Sequence, residues 1–172
     1  MSKNHSPKDV IAAIKREDLA ALSDMFAEDP GLKNVSTPFG SWLHVAAEYG
    51  KFSVVKFLAE NGFDIDARGG IAGGSAINIA ASEGCLDIVD YLLGRGAELD
   101  VSEPERNPLF SAVQGGHDDI VSVLLASGID ATVRYTGESM KDMDAAAYAR
   151  EWGRTELADM IEAYIAGSDS RP

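Results

Sequence analysis

The chain has 172 residues, 45% of them hydrophobic, and its 28 acidic residues outnumber 15 basic ones to give a formal net charge of -13 at pH 7. This size and composition are typical of one globular domain with a continuous core. The acidic balance argues against nucleic-acid binding, because phosphate backbones would be repelled. We expect the charge to favour a protein partner with a basic or mixed-charge surface, although the alternative is that the acidity simply keeps a soluble protein monomeric.

Cys85 is the single cysteine, so no internal disulfide can form and a reducing compartment is expected. The N-terminal sequence MSKNHSPKDV has no apolar stretch of signal-peptide length, and no apolar run approaches membrane-spanning length. These features predict a cytoplasmic protein without a membrane association.

Two short helices are predicted at the start of the chain, after a flexible N-terminus at residues 1–6. Apolar residues recur at helical spacing from Pro7 to Arg16 and again from Asp18 to Ala27. The breakers Asp29, Pro30 and Gly31 end this pair.

The middle of the chain repeats itself. The stretch WLHVAAEYGKFSVVKFLAENGFDID, which starts at Trp42, is followed by related stretches that start at Ile77 and Leu109. Two glycines hold the same place in each copy, and they are Gly50 and Gly62, Gly84 and Gly96, and Gly116 and Gly128. Such a period, near 33 residues, is typical of stacked helix–turn–helix units, and we expect the glycines to end helices in left-handed conformations.

A fifth unit is predicted after an enlarged loop at residues 134–142. Ala146, Ala149, Gly153, Leu157 and Ile161 match the core positions of the earlier copies. The first and fifth units are more polar than the middle ones, which suits units with nothing stacked over them. Residues 167–172 are predicted to be a flexible tail.

The repeated motif resembles the ankyrin-repeat signature. It reads Ser41-Trp42-Leu43-His44-Val45-Ala46-Ala47 in the second unit, Ser75-Ala76-Ile77-Asn78-Ile79-Ala80-Ala81 in the third and Asn107-Pro108-Leu109-Phe110-Ser111-Ala112 in the fourth. The resemblance implies an all-α solenoid of about five stacked repeats with hairpin-like loops and degenerate end repeats that act as caps. A single domain over residues 7–166 follows, with repeats at about 7–38, 39–72, 73–105, 106–138 and 139–166.

Residues with reactive side chains have structural interpretations. The resemblance implies that His44 bonds the backbone of the neighbouring loop, and His117 also stands where the family commonly has histidine. Cys85 has no cysteine or histidine at ligand spacing, and the glycine-rich stretch from Gly69 to Gly74 lacks the Lys-Ser/Thr of a phosphate-binding loop, so it is interpreted as a fingertip turn. We therefore predict no catalytic residue, metal or cofactor, and a protein that is not an enzyme.

The resemblance also implies a partner-binding surface, because ankyrin repeats usually grip partners with their fingertips and the exposed side of their inner helices. Tyr49 and Trp152 stand out as aromatic residues that no core position requires. The predicted surface comprises Glu48, Tyr49, Ser82, Glu83, Gln114, Gly115, Glu151 and Trp152 on the helices, and Arg68, Glu105, Arg106, Arg134 and Tyr135 at the fingertips. The alternative is that these aromatic side chains only cover their neighbours and that the glutamates are simply solvated.

The leading functional hypothesis is a non-enzymatic protein–protein interaction module with an acidic concave surface. A narrower version is a specific inhibitor, because small acidic ankyrin proteins without an attached domain resemble bacterial immunity proteins that neutralise a toxin. The alternatives are a structural adaptor or oligomer subunit and an enzyme with an unrecognised site.

Overall fold

The computed structural model describes residues 5–70, 73–137 and 140–168 and confirms the predicted all-α solenoid. Predictions for residues 1–4, Ile71, Ala72, Glu138, Ser139 and 169–172 lie outside the described residues. The α-helices are α1 (Pro7–Arg16), α2 (Leu19–Glu28), α3 (Trp42–Glu48), α4 (Phe52–Glu60), α5 (Ala76–Glu83), α6 (Leu86–Gly94), α7 (Pro108–Gly115), α8 (Asp118–Ala126), α9 (Ala145–Glu151) and α10 (Thr155–Ser168). The chain thus forms helix pairs, and α10 extends through Ser168 into the segment predicted as a tail, where the Ser168 hydroxyl donates to the Ile165 carbonyl at 2.7 Å.

The inner helices α3, α5, α7 and α9 stack in sequence, and the outer helices lie behind them. Alanines form the seams, since Ala46, Ala80, Ala112 and Ala149 are all fully buried. A small side chain at each seam lets neighbouring helices approach closely, whereas a larger one would separate them. The core therefore follows the repeat pattern of the sequence.

Left-handed residues end the inner helices, as the glycine spacing predicts. Gly84 and Gly116 are the C-caps of α5 and α7, with φ of 75° and 78°. In the first repeat Glu17 takes the same conformation without being glycine, with φ of 55°. Its carboxylate accepts hydrogen bonds from Lys51 at 3.3 Å and Ser53 at 2.5 Å in the next repeat, which offsets the cost of that backbone conformation.

Trp42 replaces the proline of the family motif and uses its ring to join two repeats. The indole is fully buried, and its Nε1 donates a 2.7 Å hydrogen bond to the carbonyl of Leu32. Leu32 lies in a 3₁₀ turn, Pro30–Asn34, that follows α2. The side chain therefore anchors the end of the first repeat to the start of the second.

Polar side chains of the repeat motif tie adjacent fingertips together, which confirms the structural interpretation of His44. Its Nδ1 accepts from the Ser41 amide at 3.1 Å, so Nε2 carries the proton and donates to the Gly74 carbonyl at 3.0 Å. Asn78 makes the same pair of bonds one repeat on, accepting from Ser75 at 3.1 Å and donating to the Arg106 carbonyl at 2.6 Å. An amide thus replaces imidazole here without loss of the tie.

A second set of ties comes from the residues that follow two of the helix-ending glycines, Gly116 and Gly153. His117 Nε2 lies 2.9 Å from the Ser82 carbonyl oxygen, and Arg154 donates to the Gln114 carbonyl at 2.9 Å. His117 lies in a slot between two glycines, because a Cβ added at Gly84 or Gly115 would come within 2.6 or 2.4 Å of its ring. The two glycines are therefore required by packing.

The fingertip interpretation of the glycine-rich stretch holds for its described residues. A Cβ on Gly69 would lie 2.8 Å from the Cα of Gly40, and one on Gly70 would lie 3.0 Å from the Phe39 carbonyl. The amide of Gly69 donates to the Gly74 carbonyl at 3.0 Å and closes the turn. Glycine serves here because two fingertip backbones approach each other directly.

The enlarged loop is a closed hairpin in its described part. Tyr135 and Met143 exchange backbone hydrogen bonds of 2.9 and 3.0 Å, and the Gly137 amide donates to Met140 at 2.8 Å. Arg134 pairs with Asp142 and Asp144 along one edge of the hairpin. The extra residues thus build a defined fingertip that carries Met140.

Candidate functional site

A concave groove runs between the inner helices and the fingertips and encloses about 510 Å³. This volume is within the range of about 300–1,000 Å³ found for binding sites of compact ligands. The groove is lined by Pro38, Phe39, Glu48, Gly69, Gly70, Gly74, Asn78, Ile79, Ser82, Glu83, Pro104, Glu105, Phe110, Ser111, Gln114, Met140 and Tyr148.

The charged residues among these lining residues are Glu48, Glu83 and Glu105. Glu48 and Glu83 end α3 and α5, and Glu105 lies in the 3₁₀ turn Pro104–Arg106 of a fingertip. All three side chains are exposed, and in the described part of the chain none of them has an ion-pair partner. The groove therefore carries uncompensated negative charge on both of its walls.

The fingertip arginines predicted to meet a partner are paired within the chain. Arg68 lies 2.6 Å from Asp100, and Arg106 lies 3.6 Å from Glu103. Arg134 pairs with Asp142 and Asp144, and its hydrogen bond to Asp142 is the main reason that the pKa of its guanidinium is raised. These three arginines are outside the groove lining, and their charge is compensated locally.

The floor of the groove is apolar. Phe110 replaces the histidine of the family motif, and only 4% of it is exposed. Its ring lies between Tyr135, edge-on at 5.0 Å, and Tyr148, stacked at 4.9 Å. Ile79 and Met140 extend this surface, so the fourth and fifth repeats contribute most of its rings.

Tyr135 is a correction to the predicted surface. It is 8% exposed and packs against Phe110, so its ring is not available to a partner. Its hydroxyl donates to the Val101 carbonyl at 2.8 Å and accepts from Asn107 at 3.0 Å. The residue points inward because the hairpin pair with Met143 turns it towards the core.

Tyr49 and Trp152 are exposed, as expected, at 37% and 51%. Each is the C-cap of an inner helix, so they lie beside the groove rather than among its lining residues. Lys15 Nζ lies 4.4 Å from the Tyr49 ring centroid, and Trp152 meets Tyr148 edge-on at 6.1 Å. Glu151, next to Trp152, is exposed as well.

The structure brings together five predicted residues in one groove, and they are Glu48, Ser82, Glu83, Gln114 and Glu105. Sequence reasoning missed Phe39, which is 48% exposed, and the floor residues Phe110 and Tyr148. The sequence signal that could have identified Phe110 is that it stands where the motif has histidine. Gly115 belongs to the predicted surface too, but its lack of a side chain is explained by the His117 slot.

In the described residues, no three His, Cys, Asp or Glu side chains are grouped closely enough to hold a metal ion. No helix in that part of the chain is long and apolar enough to cross a membrane.

Comparison with known proteins gives a match to the family model described as ankyrin repeats (3 copies), over residues 10–103, 43–135 and 80–163. An ankyrin-repeat and KH-domain protein of Caenorhabditis elegans is 34% identical over 50% of the chain. A palmitoyltransferase of Drosophila melanogaster is 29% identical over 70% of it, and a probable ubiquitin-protein ligase of Oryza sativa subsp. japonica is 28% identical over 76%. The chain spans only 3%, 19% and 30% of the length of these relatives, so the activities in their names belong to those whole proteins.

Proposed function

The chain belongs to the ankyrin-repeat family, whose repeats are protein–protein interaction modules, and from this premise we propose that its concave groove binds a protein with a basic or mixed-charge surface. The observation that carries the proposal is the set of three carboxylates, Glu48, Glu83 and Glu105, that line the groove and have no ion-pair partner among the described residues. Complementary charge on a partner would speed association and select against acidic proteins.

The module is proposed to be non-enzymatic, cytoplasmic and monomeric when free, and to bind neither nucleic acid nor membranes. The net charge of -13 supports the exclusion of nucleic acids, since a phosphate backbone would be repelled along the whole groove. Tyr49 and Trp152 beside the groove are proposed to extend the contact as aromatic anchors.

The test is affinity capture from the source cells with three baits. The first is the wild-type chain, and the second carries Glu48→Lys, Glu83→Lys and Glu105→Lys. The third carries Asp24→Lys, Asp90→Lys and Glu98→Lys, exposed residues outside the groove that change the net charge by the same amount. Quantitative mass spectrometry at low and high salt then compares the captured proteins.

The expected result is a basic protein held by the wild-type and control baits, absent from the groove variant and released by salt. Salt acts because charges at an exposed interface are screened within about 3 Å at 1 M. Retention of the same proteins by all three baits would show that the interface lies outside the groove, and capture of no protein would contradict the proposal.

Inhibition of a toxin stays a prediction from the resemblance alone. It becomes testable once a partner is captured, by assaying that partner's activity with the wild-type chain and with the groove variant. Loss of activity with the wild-type chain only is the expected result, and equal activity with both would leave a binding module without inhibition.

A further inference from the structure

The floor of the groove offers one accessible aromatic face between its two walls. Phe110 is almost fully covered, whereas Tyr148 on α9 is half-buried and lines the groove. In the described residues the Tyr148 hydroxyl has no hydrogen-bond partner. The ring thus presents both an apolar surface and a free polar group to an occupant.

The carboxylates lie on opposite sides of this floor. Glu83 belongs to the helix wall, at the end of α5, and Glu105 belongs to the fingertip wall. An occupant must therefore be apolar where it touches the floor and positive where it reaches the walls. Arginine and lysine side chains combine these properties, because their methylene stems cover apolar surface while the charged heads stay at its edge. A cation near an aromatic face adds further attraction.

Fingertip residues and inner-helix residues line the groove around its apolar floor, and the groove holds about 510 Å³. A broad folded surface would rest on the fingertips and helix ends, whereas an extended chain can place alternate side chains on the floor. We infer that the groove binds an extended polypeptide segment whose arginine or lysine side chains lie on Tyr148 and reach Glu83 and Glu105. This inference rests on the proposed function and narrows its partner to a linear segment.

The test is selection of a random linear-peptide phage library on the intact chain, followed by binding of the selected peptides to variants. The groove variant is Glu83→Gln with Glu105→Gln, and the control is Asp24→Asn with Asp90→Asn, which loses the same charge outside the groove. Selected peptides are also synthesised with citrulline for arginine and norleucine for lysine, which removes the charge and keeps the stem.

The expected peptides are rich in arginine or lysine and lose about tenfold in affinity on neutral replacement, a change of ~1.4 kcal/mol. A similar loss is expected with the groove variant and none with the control. Tyr148→Ala should weaken the charged and the neutral peptides, and the charged peptides more, since it removes the accessible aromatic face and leaves both carboxylates.

Three outcomes would overturn the inference: no selection, selected peptides without basic residues, or equal binding to the groove variant. The capture experiment separates the two proposals. If a partner is captured through the groove but no peptide is selected, the linear-segment inference is wrong and the proposed binding module stands. If capture does not depend on the groove, the proposed function itself is wrong.

Discussion

Replacing Gly115 by alanine should destabilise the protein, although alanine is the better helix former. Gly115 is the last residue of α7, and an added Cβ would lie 2.4 Å from His117 Cδ2 and 2.5 Å from the Ser82 carbonyl oxygen. The backbone oxygen cannot move aside easily, so overpacking costs about 1–3 kcal/mol. Displacement of His117 also loses its bond to Ser82, worth about 0.5–1.5 kcal/mol, against a propensity gain of about 0.5–1 kcal/mol.

The net expectation is a loss of roughly 2 kcal/mol, which lowers the melting temperature by about 4–8 °C in a chain of this size. Circular dichroism at 222 nm during thermal and urea unfolding measures it. Gly94→Ala is the matched control, because Gly94 is the last residue of α6 and an added Cβ there meets no atom of the described residues within 4 Å. This control should gain about 0.5–1 kcal/mol.

Opposite signs for the two substitutions are therefore the signature of the His117 slot. His117→Ala combined with Gly115→Ala should cost less than the sum of the single changes, since the ring clash disappears while the Ser82 clash remains. Equal or greater stability of Gly115→Ala than of wild type would refute the reasoning.

Three further substitutions test the ties between repeats. Trp42→Phe should cost at least about 0.5–1.5 kcal/mol in urea unfolding, because the buried Leu32 carbonyl loses its indole donor and keeps only the Val35 amide at 3.2 Å. Burial lowers the pKa of His44, partly opposed by its bond to the Gly74 carbonyl, so its neutral form is favoured in the folded state. Wild-type stability should therefore be complete above the unfolded pKa of about 6.5 and fall as the pH drops below it. His44→Asn, which copies Asn78, should flatten this loss between pH 7.5 and 5.5, and an unchanged slope would contradict the assignment. Tyr135→Phe should cost about 1–3 kcal/mol, since it leaves the buried Asn107 amide and the Val101 carbonyl unpaired, and partner capture should be unchanged.

The repeat architecture could be predicted because the same physical requirement recurs in each unit. A left-handed helix end, a small seam residue and an apolar outer helix leave a sequence signal at every period, as Gly84, Ala80 and Val89 show. The backbone-bonding role of His44 was implied by the resemblance to the ankyrin-repeat motif at that position, and the bond to Gly74 confirms it.

The side chains of loops were harder to predict, because their direction depends on what packs against them. Tyr135 reads as an exposed fingertip residue, yet its hairpin pair with Met143 turns it into the core. Phe110 occupies the motif position at which His44 and Asn78 bond the next fingertip. That it stacks on Tyr148 instead depends on the neighbouring repeat and could not be predicted from its own repeat. The repeat register therefore predicted the residues on the helix wall of the groove, whereas tertiary packing determines which residues form its floor.

The ties described above each join one repeat to the next, so the chain should open from its ends. Loss of the Arg154 bond to Gln114 frees only the last helix pair, while the His117 bond to Ser82 still holds the units before it. Backbone amides of α1 and α10 should therefore exchange with deuterium sooner than those of α5 and α7. A partner that spans the groove contacts α3, α5, α7 and α9 together. The last helix pair could then separate only if its contacts with the partner were also broken, so amide exchange at the C-terminal end should slow.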